Sequence, residues 1–304
     1  MELLQLKYFQ AVAKHENITK AAKELHISQP SLSITIKRLE DELGVPLFRR
    51  IGKNIELNQF GKVYLKHVDS ILINLDNAKA EVLELYGIRN TQISLSSTAT
   101  LFLTGLLKEF LISYPNIKMV QSIHNREDIL NALKLGNIDF AITSPPIQDL
   151  NVETINLMDE EIVVVVNKDH PLAHKKFIYL NELRNENFME LTENYSFRDT
   201  TNALYKAAGF IPNIVFEGDT SILSELIDLK KAVLLAPISV CTMPPSDRYN
   251  NKYTIIRLKD ELNTRTVALS YAKGRYLSEL ANSFKEFTIS YYNDFLNRIN
   301  RIQL

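Results

Sequence analysis

The stretch Thr19-Lys20-Ala21-Ala22-Lys23-Glu24-Leu25-His26-Ile27-Ser28-Gln29-Pro30-Ser31-Leu32-Ser33-Ile34-Thr35-Ile36-Lys37-Arg38-Leu39 reads as two helices and the turn between them. Asn17 stands where the first wants a side-chain cap, and Ala21 and Ala22 leave its middle without bulk, so a second helix can approach closely. After the turn His26-Ile27, Ser28 is another cap, and Pro30 falls in the first turn, where its missing N–H costs nothing. That helix should run to about Leu43, with Gly44 stopping it. Leu32, Ile36, Leu39 and Leu43 form its apolar stripe, and Gln29, Ser31, Ser33, Thr35, Lys37 and Arg38 lie away from it. Small hydrogen-bonding side chains at the start of such a helix are what a reader of the DNA major groove needs.

Upstream, Leu3, Leu6, Phe9, Val12 and Ala13 share one face of a helix ending near His15-Glu16. Downstream, Arg49 to Asn54 precedes the alternating Ile55-Glu56-Leu57, a small hairpin with a basic tip suited to the phosphate backbone. Taken singly, each polar side chain reads more readily as a solvated helix surface. Their combined spacing is more specific. The run Ala21-Ala22, Ser28 to Ser33, Ile36, Leu39-Glu40, Leu43-Gly44, Leu47-Phe48, Arg50 resembles the winged helix-turn-helix of LysR-type transcriptional regulators across nearly all of residues 1–66.

That resemblance implies a DNA-contacting set of Thr19, Ser28, Gln29, Pro30, Ser31, Ser33, Thr35, Lys37, Arg38, Arg50 and Lys53. Lys37, Arg38, Arg50 and Lys53 are expected on phosphates, and Gln29, Ser31 and Ser33 at or near bases. Two departures stand out: the family commonly has Gln or Arg near Thr35, and a Thr followed two residues later by Ala where this chain has Asn58 and Phe60. The first leaves the operator sequence open. The second keeps the fold, because Asn caps a helix as well as Thr does.

From Gln59 to Tyr86 there is no proline, so a helix of about 40 Å is expected at 1.5 Å per residue. Tyr64, Val68, Ile71, Leu75, Ala78, Val82 and Leu85 repeat at alternating spacings of four and three. This is a seam for a partner helix, with packing against its own domain as the alternative. The resemblance implies the first: a linker helix that pairs subunits, giving a dimer or tetramer on a site of approximate two-fold symmetry.

Beyond Gly87-Ile88-Arg89-Asn90 short apolar runs alternate with helical stretches. Strands are expected at Ile93-Leu95, Ile117-Val120, Phe140-Ile142, Glu161-Val166, Ile214-Phe216, Val233-Leu235, Tyr253-Leu258 and Val267-Tyr271. Helices are expected at 101–114, 126–135, 176–183, 200–208, 222–229 and from about Leu277. The rhythm is α/β with a largely parallel sheet. Gly136-Asn137-Ile138-Asp139-Phe140-Ala141-Ile142 and Asn167-Lys168-Asp169-His170-Pro171-Leu172-Ala173 resemble the LysR effector domain.

The fold so implied is an N-terminal winged helix-turn-helix, all-α with a small β wing, then a long linker helix. A two-lobed α/β effector domain of the type II periplasmic-binding-protein kind follows. The boundaries are 1–58, 59–88 and 91–304, with lobe I at about 91–161 and 267–304 and lobe II at about 162–266. A cleft between lobes is a natural ligand site. The resemblance lines it with Ser96, Ser97, Thr98 and Thr100, which are expected to open a helix, with Arg126 and Thr143-Ser144, and with Tyr195-Ser196-Phe197 from the second lobe. Arg126, a cation where the family often has a small hydroxyl, suggests a carboxylate-bearing effector, with a solvated surface Arg as the alternative. Lys230-Lys231, where the family places glycines, reads as a solvated loop.

Composition bounds the partners. Residues 1–66 carry 11 Lys and Arg against 7 Asp and Glu, and the other 238 carry 24 against 29, so basic charge gathers where a polyanion would be met. The start MELLQLKYFQ reads as neither signal peptide nor membrane span, and the lone Cys241 fits a reducing compartment, so a cytoplasmic protein is expected. No nucleotide-binding glycine fingerprint, P-loop, HExxH or Gly-x-Ser-x-Gly is present. Pro171 between His170 and His174 argues against a helical metal pair. No enzyme, cofactor or metal is therefore expected. A transport-type binding protein is disfavoured by the attached DNA head. The expected partners are double-stranded DNA, a small-molecule effector, further copies of the chain and, as a further candidate, RNA polymerase.

Overall fold

Asn17 accepts a hydrogen bond from the Lys20 N–H at 3.0 Å, and Ser28 accepts one from the Ser31 N–H at 3.3 Å. These caps begin α2 (Ile18–Glu24) and α3 (Gln29–Leu43) behind α1 (Leu3–His15). The computed structural model describes residues 1–51, 54–88, 91–99, 103–219, 222–223, 232–242 and 253–301. It divides into Met1–Ile88 with Gly274–Tyr276, and Arg89–Lys273 with Leu277–Leu304.

In the first unit Ala21 and Ala22 are buried, and Phe9, Val12, Leu32 and Leu39 close over them as a small core. Gly44 ends α3 at φ +73°, a left-handed turn that glycine adopts without strain. Leu3, expected inside, is exposed. The wing follows as β1 (Phe48–Ile51) against β2 (Asn54–Leu57), antiparallel from Phe48↔Leu57 to Ile51↔Asn54. Its tip, including Lys53, lies outside the described residues. The Glu40 carboxylate accepts from the N–H groups of Leu47 at 2.7 Å and Phe48 at 3.1 Å, which ties α3 to the wing. Asn58 caps α4 (Gln59–Leu85) and also donates to the Pro46 carbonyl at 2.7 Å. Gly61 has no room for a side chain, since a Cβ would meet the Leu47 carbonyl oxygen at 2.1 Å.

The seam along α4 is shorter than the heptads suggest. Tyr64 packs edge-on against Phe9, ring centres 5.1 Å apart, and Val68 and Leu72 are buried in the same core. Packing against its own domain takes this helix as far as Leu72. Ile71, Leu75, Ala78, Val82 and Leu85 remain exposed.

The second unit runs β3 (Gln92–Ser97), α5 (Thr104–Ser113), β4 (Lys118–Ile123), α6 (Arg126–Lys134), β5 (Phe140–Thr143) and β6 (Val152–Asn167). Then come β7 (Phe177–Ile178), β8 (Asn187–Leu191), α7 (Ser196–Ala208), β9 (Asn213–Gly218), β10 (Val233–Pro237), α8 (Ile238–Thr242), β11 (Tyr253–Leu258), β12 (Thr264–Ala272) and α9 (Glu279–Arg301). Strand order is β4-β3-β5-β12-β6-β10-β8-β9, with β11 on β6 and β7 on β11. The first ten residues of β6 pair with β12, and its end, Ile162–Asn167, pairs with β10 and β11. One strand thus crosses between two lobes, each with its own core. Ile162 to Val166 are buried throughout, the unbroken apolar run of a strand covered on both faces.

Four expectations change in the second unit. The sheet, expected to be largely parallel, is mixed, because the crossing strand β6 pairs antiparallel with β10, β11 and β12, and β12 pairs antiparallel with β5. The helix expected at 176–183 is β7 followed by a 3-10 turn, Leu180–Leu183, because Phe177 and Ile178 pair with β11 and the Leu180 N–H bonds Asp260 at 2.9 Å. The helix expected from 101 begins at Thr104, so Ser96 and Ser97 end a strand instead of opening a helix. β8 carries no mark in the sequence reading. Of the helix expected at 222–229 only 222–223 are described, and Arg89-Asn90, Thr100 and Lys230-Lys231 also lie outside the described residues. Among the described residues no helix is long and apolar enough to cross a membrane.

Candidate DNA-reading helix and effector cleft

The apolar stripe of α3 faces its core, which leaves the opposite side of the helix in solvent. Thr19, Ser28, Gln29, Pro30, Ser31, Lys37, Arg38 and Arg50 are exposed, and Ser33 and Thr35 are half-buried on the flanks. Two hydroxyls are already engaged: Ser28 caps the helix, and Thr35 donates to the Ser31 carbonyl at 3.0 Å. Of the wing arginines, Arg49 pairs across the hairpin with Glu56 at 3.0 Å, and Arg50 is exposed. Asp41 and Glu42 are exposed further along α3, so the surface suited to a polyanion is confined to its first ten residues. A search for polar readers passes over Ile34, an exposed apolar side chain within that surface.

In the second unit, parallel strands β3 and β5 put Ser97 beside Ile142, so Thr98 and Thr143 follow at adjacent register positions at the strand C-termini. Both are buried, and neither hydroxyl has a hydrogen-bond partner. Ser96 and Ser97 differ. Ser96 Oγ meets His124 Nδ1 at 3.1 Å and accepts from Ser122 Oγ at 3.3 Å, and Ser97 Oγ accepts from Gln121 at 3.4 Å. The neighbouring strand β4 thus satisfies half of the expected cluster and leaves the other half open. Ser144 is buried, and its carbonyl accepts from Ser196 Oγ at 2.8 Å, a bond from one lobe to the other.

Arg126 opens α6, is exposed and donates to the Pro146 carbonyl at 3.1 Å, which fixes it beside the loop leaving β5. Tyr195 donates to Asp219 at 3.0 Å; burial, and then that carboxylate, raise the phenol's pKa. Phe197 is a member of the lobe II core, with the Arg265 guanidinium 5.1 Å from its ring centre. His124 was not singled out by the sequence; the spacing of chemistry-bearing residues does not show a cross-strand bond such as the one it makes with Ser96.

Where β6 passes between lobes, Glu160 and Arg265 are register partners in a buried ion pair, with Glu160 Oε1 2.6 Å from Arg265 Nη2. Burial lowers the Arg265 pKa, and Glu160 opposes that shift. The same Glu160 accepts from the Ser239 N–H at 3.1 Å. Burial, with Glu160 close by, pushes the Cys241 thiol up to about 12, so it stays protonated and inert at neutral pH.

Residues 3–62 match the family described as bacterial regulatory helix-turn-helix protein, lysR family, and residues 91–292 match the LysR substrate binding domain. The chain is similar to the HTH-type transcriptional regulator YybE of Bacillus subtilis (strain 168), 35% identical over 298 residues, covering 97% of this chain and 100% of that one. Full-length OxyR C199D from Pseudomonas aeruginosa has the same fold, TM-score 0.66 at 21% identity, over 96% of this chain and 95% of that one. So does full-length CbnR, solved with its target DNA, TM-score 0.56 at 24% identity, over 96% and 100%. The chain therefore belongs to the LysR family of transcriptional regulators, with a DNA-binding helix-turn-helix at its N-terminus and an effector-binding domain after it.

Proposed function

We propose that the chain, a cytoplasmic homo-oligomer, binds a DNA site of approximate two-fold symmetry through the first ten residues of α3 and the wing. The observation that carries this is the exposed face of α3, where Gln29, Ser31, Lys37 and Arg38 stand free of the core while Asp41 and Glu42 bound the surface. Lys37, Arg38 and Arg50 supply phosphate contacts, and Lys53 belongs to the same set. Gln29, Ser31 and Ser33 lie at base edges, with Thr19, Ser28, Pro30 and Thr35 around them. The solved complex of CbnR with its target DNA, a protein of the same fold, supports this placement. Ile71, Leu75, Ala78, Val82 and Leu85 form the subunit seam, and RNA polymerase is a further partner.

A gel-shift with duplex fragments from upstream of the coding region tests this. The protein should retard at least one fragment, with affinity falling steeply as salt rises. Retention of none would overturn the reading.

The same regulator takes a small carboxylate-bearing effector between its lobes, supported by the two unpartnered hydroxyls of Thr98 and Thr143 and by Arg126 beside Pro146. A buried hydroxyl without a partner is a standing cost that a ligand atom removes. Ser96, Ser97, Ser144 and Tyr195 shape the surroundings, and Thr100 belongs to the same segment.

A further inference from the structure

α3 is buried along Leu32, Ile36 and Leu39, and at 100° per residue Ile34 lies about 170° around the axis from the centre of that stripe. Ile34 is 54% exposed and is the one exposed large apolar side chain of the helix. Its neighbours one turn away are Pro30 and Ser31 before it and Lys37 and Arg38 after it, all exposed. Ser33 and Thr35, the hydroxyls on either side, are turned to the flanks, and the Thr35 hydroxyl already donates to the Ser31 carbonyl. The centre of the face is therefore hydrocarbon, with two cations one turn towards the C-terminus.

Local preference does not explain an isoleucine there. A β-branched side chain is a poorer helix former than Ala, Arg or Lys, and in solvent it gains nothing from burial. The major groove offers one apolar feature at a base edge, the 5-methyl of thymine, and apolar side chains contact it. Lys37 and Arg38 hold phosphates beside such a contact.

We infer that Ile34 is a specificity-determining residue that packs against a thymine methyl in each half-site of the operator. The inference rests on the DNA-reading role of α3 proposed above. It assigns to hydrocarbon contact a share of the sequence preference that the hydroxyls alone would otherwise carry.

The test uses the full-length protein and an operator selected from a pool of random duplexes. Each thymine is replaced singly by uracil, which lacks only the methyl. For the wild type, one position per half-site should weaken binding about four-fold, the worth of one buried methyl. In Ile34→Ala, whose helix is favoured locally, that same replacement should have no effect. A variant that keeps the wild-type uracil pattern, or a wild type indifferent to uracil throughout, overturns the assignment. A protein that selects no sequence at all overturns the underlying DNA-reading role instead.

Discussion

Glu160 on β6 and Arg265 on β12 stand opposite each other where the chain passes from one lobe to the other, their side chains buried and joined at 2.6 Å. Removing one partner of such a pair leaves an uncompensated charge out of water, a loss of about 3–5 kcal/mol. Arg265→Met should therefore destabilise the effector domain by that order, read from its urea transition in the full-length protein. A change below about 1 kcal/mol would show that the pair does not hold the crossover.

The unpartnered hydroxyls of Thr98 and Thr143 point the other way. Thr→Val keeps the shape and removes a buried polar group that lacks a bond, so each variant should stabilise the ligand-free protein by about 1 kcal/mol. The same variants should lose effector response. Thermal unfolding and an effector-dependent gel-shift measure the two effects, and a stability loss in Thr98→Val would mean that its hydroxyl is already satisfied.

Glu190 supplies a pH dependence. Burial raises its carboxyl pKa above 4.5, against the hydrogen bonds from Tyr205 and Thr201 and the charge of Arg198. A raised folded-state pKa means that the folded protein holds the proton more tightly. The associated stability is complete below 4.5 and is lost as pH rises through the folded value. Glu190→Gln stays neutral and lacks this loss. The stability of the wild type minus that of the variant should fall as pH rises above 4.5, followed by denaturant unfolding at stepped pH. A difference that grows with pH would contradict the direction.

Leu75 and Val82, 45% and 63% exposed, lie on the free part of α4. Aspartate at both should leave unfolding of the DNA-binding unit within about 0.5 kcal/mol of wild type, as surface changes do. Sedimentation should show the oligomer dissociating. An unchanged oligomer would place the subunit contact elsewhere.

The DNA-binding unit was the most legible part of the sequence because its signals are local: Asn17, Ser28, Asn58 and Gly44 act within one turn of where they stand. The seam of α4 was legible as a period, but a period does not say which partner fills it, and Phe9 fills its first turn. β8 was illegible because Glu190 interrupts its apolar run; Arg198, Thr201 and Tyr205, brought in by α7, make that carboxylate tolerable inside. The first half of β6 was hidden for a similar reason, since Glu160 finds its cation more than a hundred residues later. In the cleft, residue types singled out the Ser/Thr cluster, but strand register decides which hydroxyls β4 satisfies and which it leaves open.

The central claim is that α3 reads sequence while its cations hold the backbone. Measuring affinity of wild type, Arg38→Ala and Gln29→Ala against selected and random duplexes across a salt series tests it most directly. Arg38→Ala should weaken both duplexes alike and reduce the slope of log affinity against log salt by about one. Gln29→Ala should keep the slope and narrow the gap between selected and random DNA. Equal losses for the two variants on both duplexes, with no change of slope, would contradict the account.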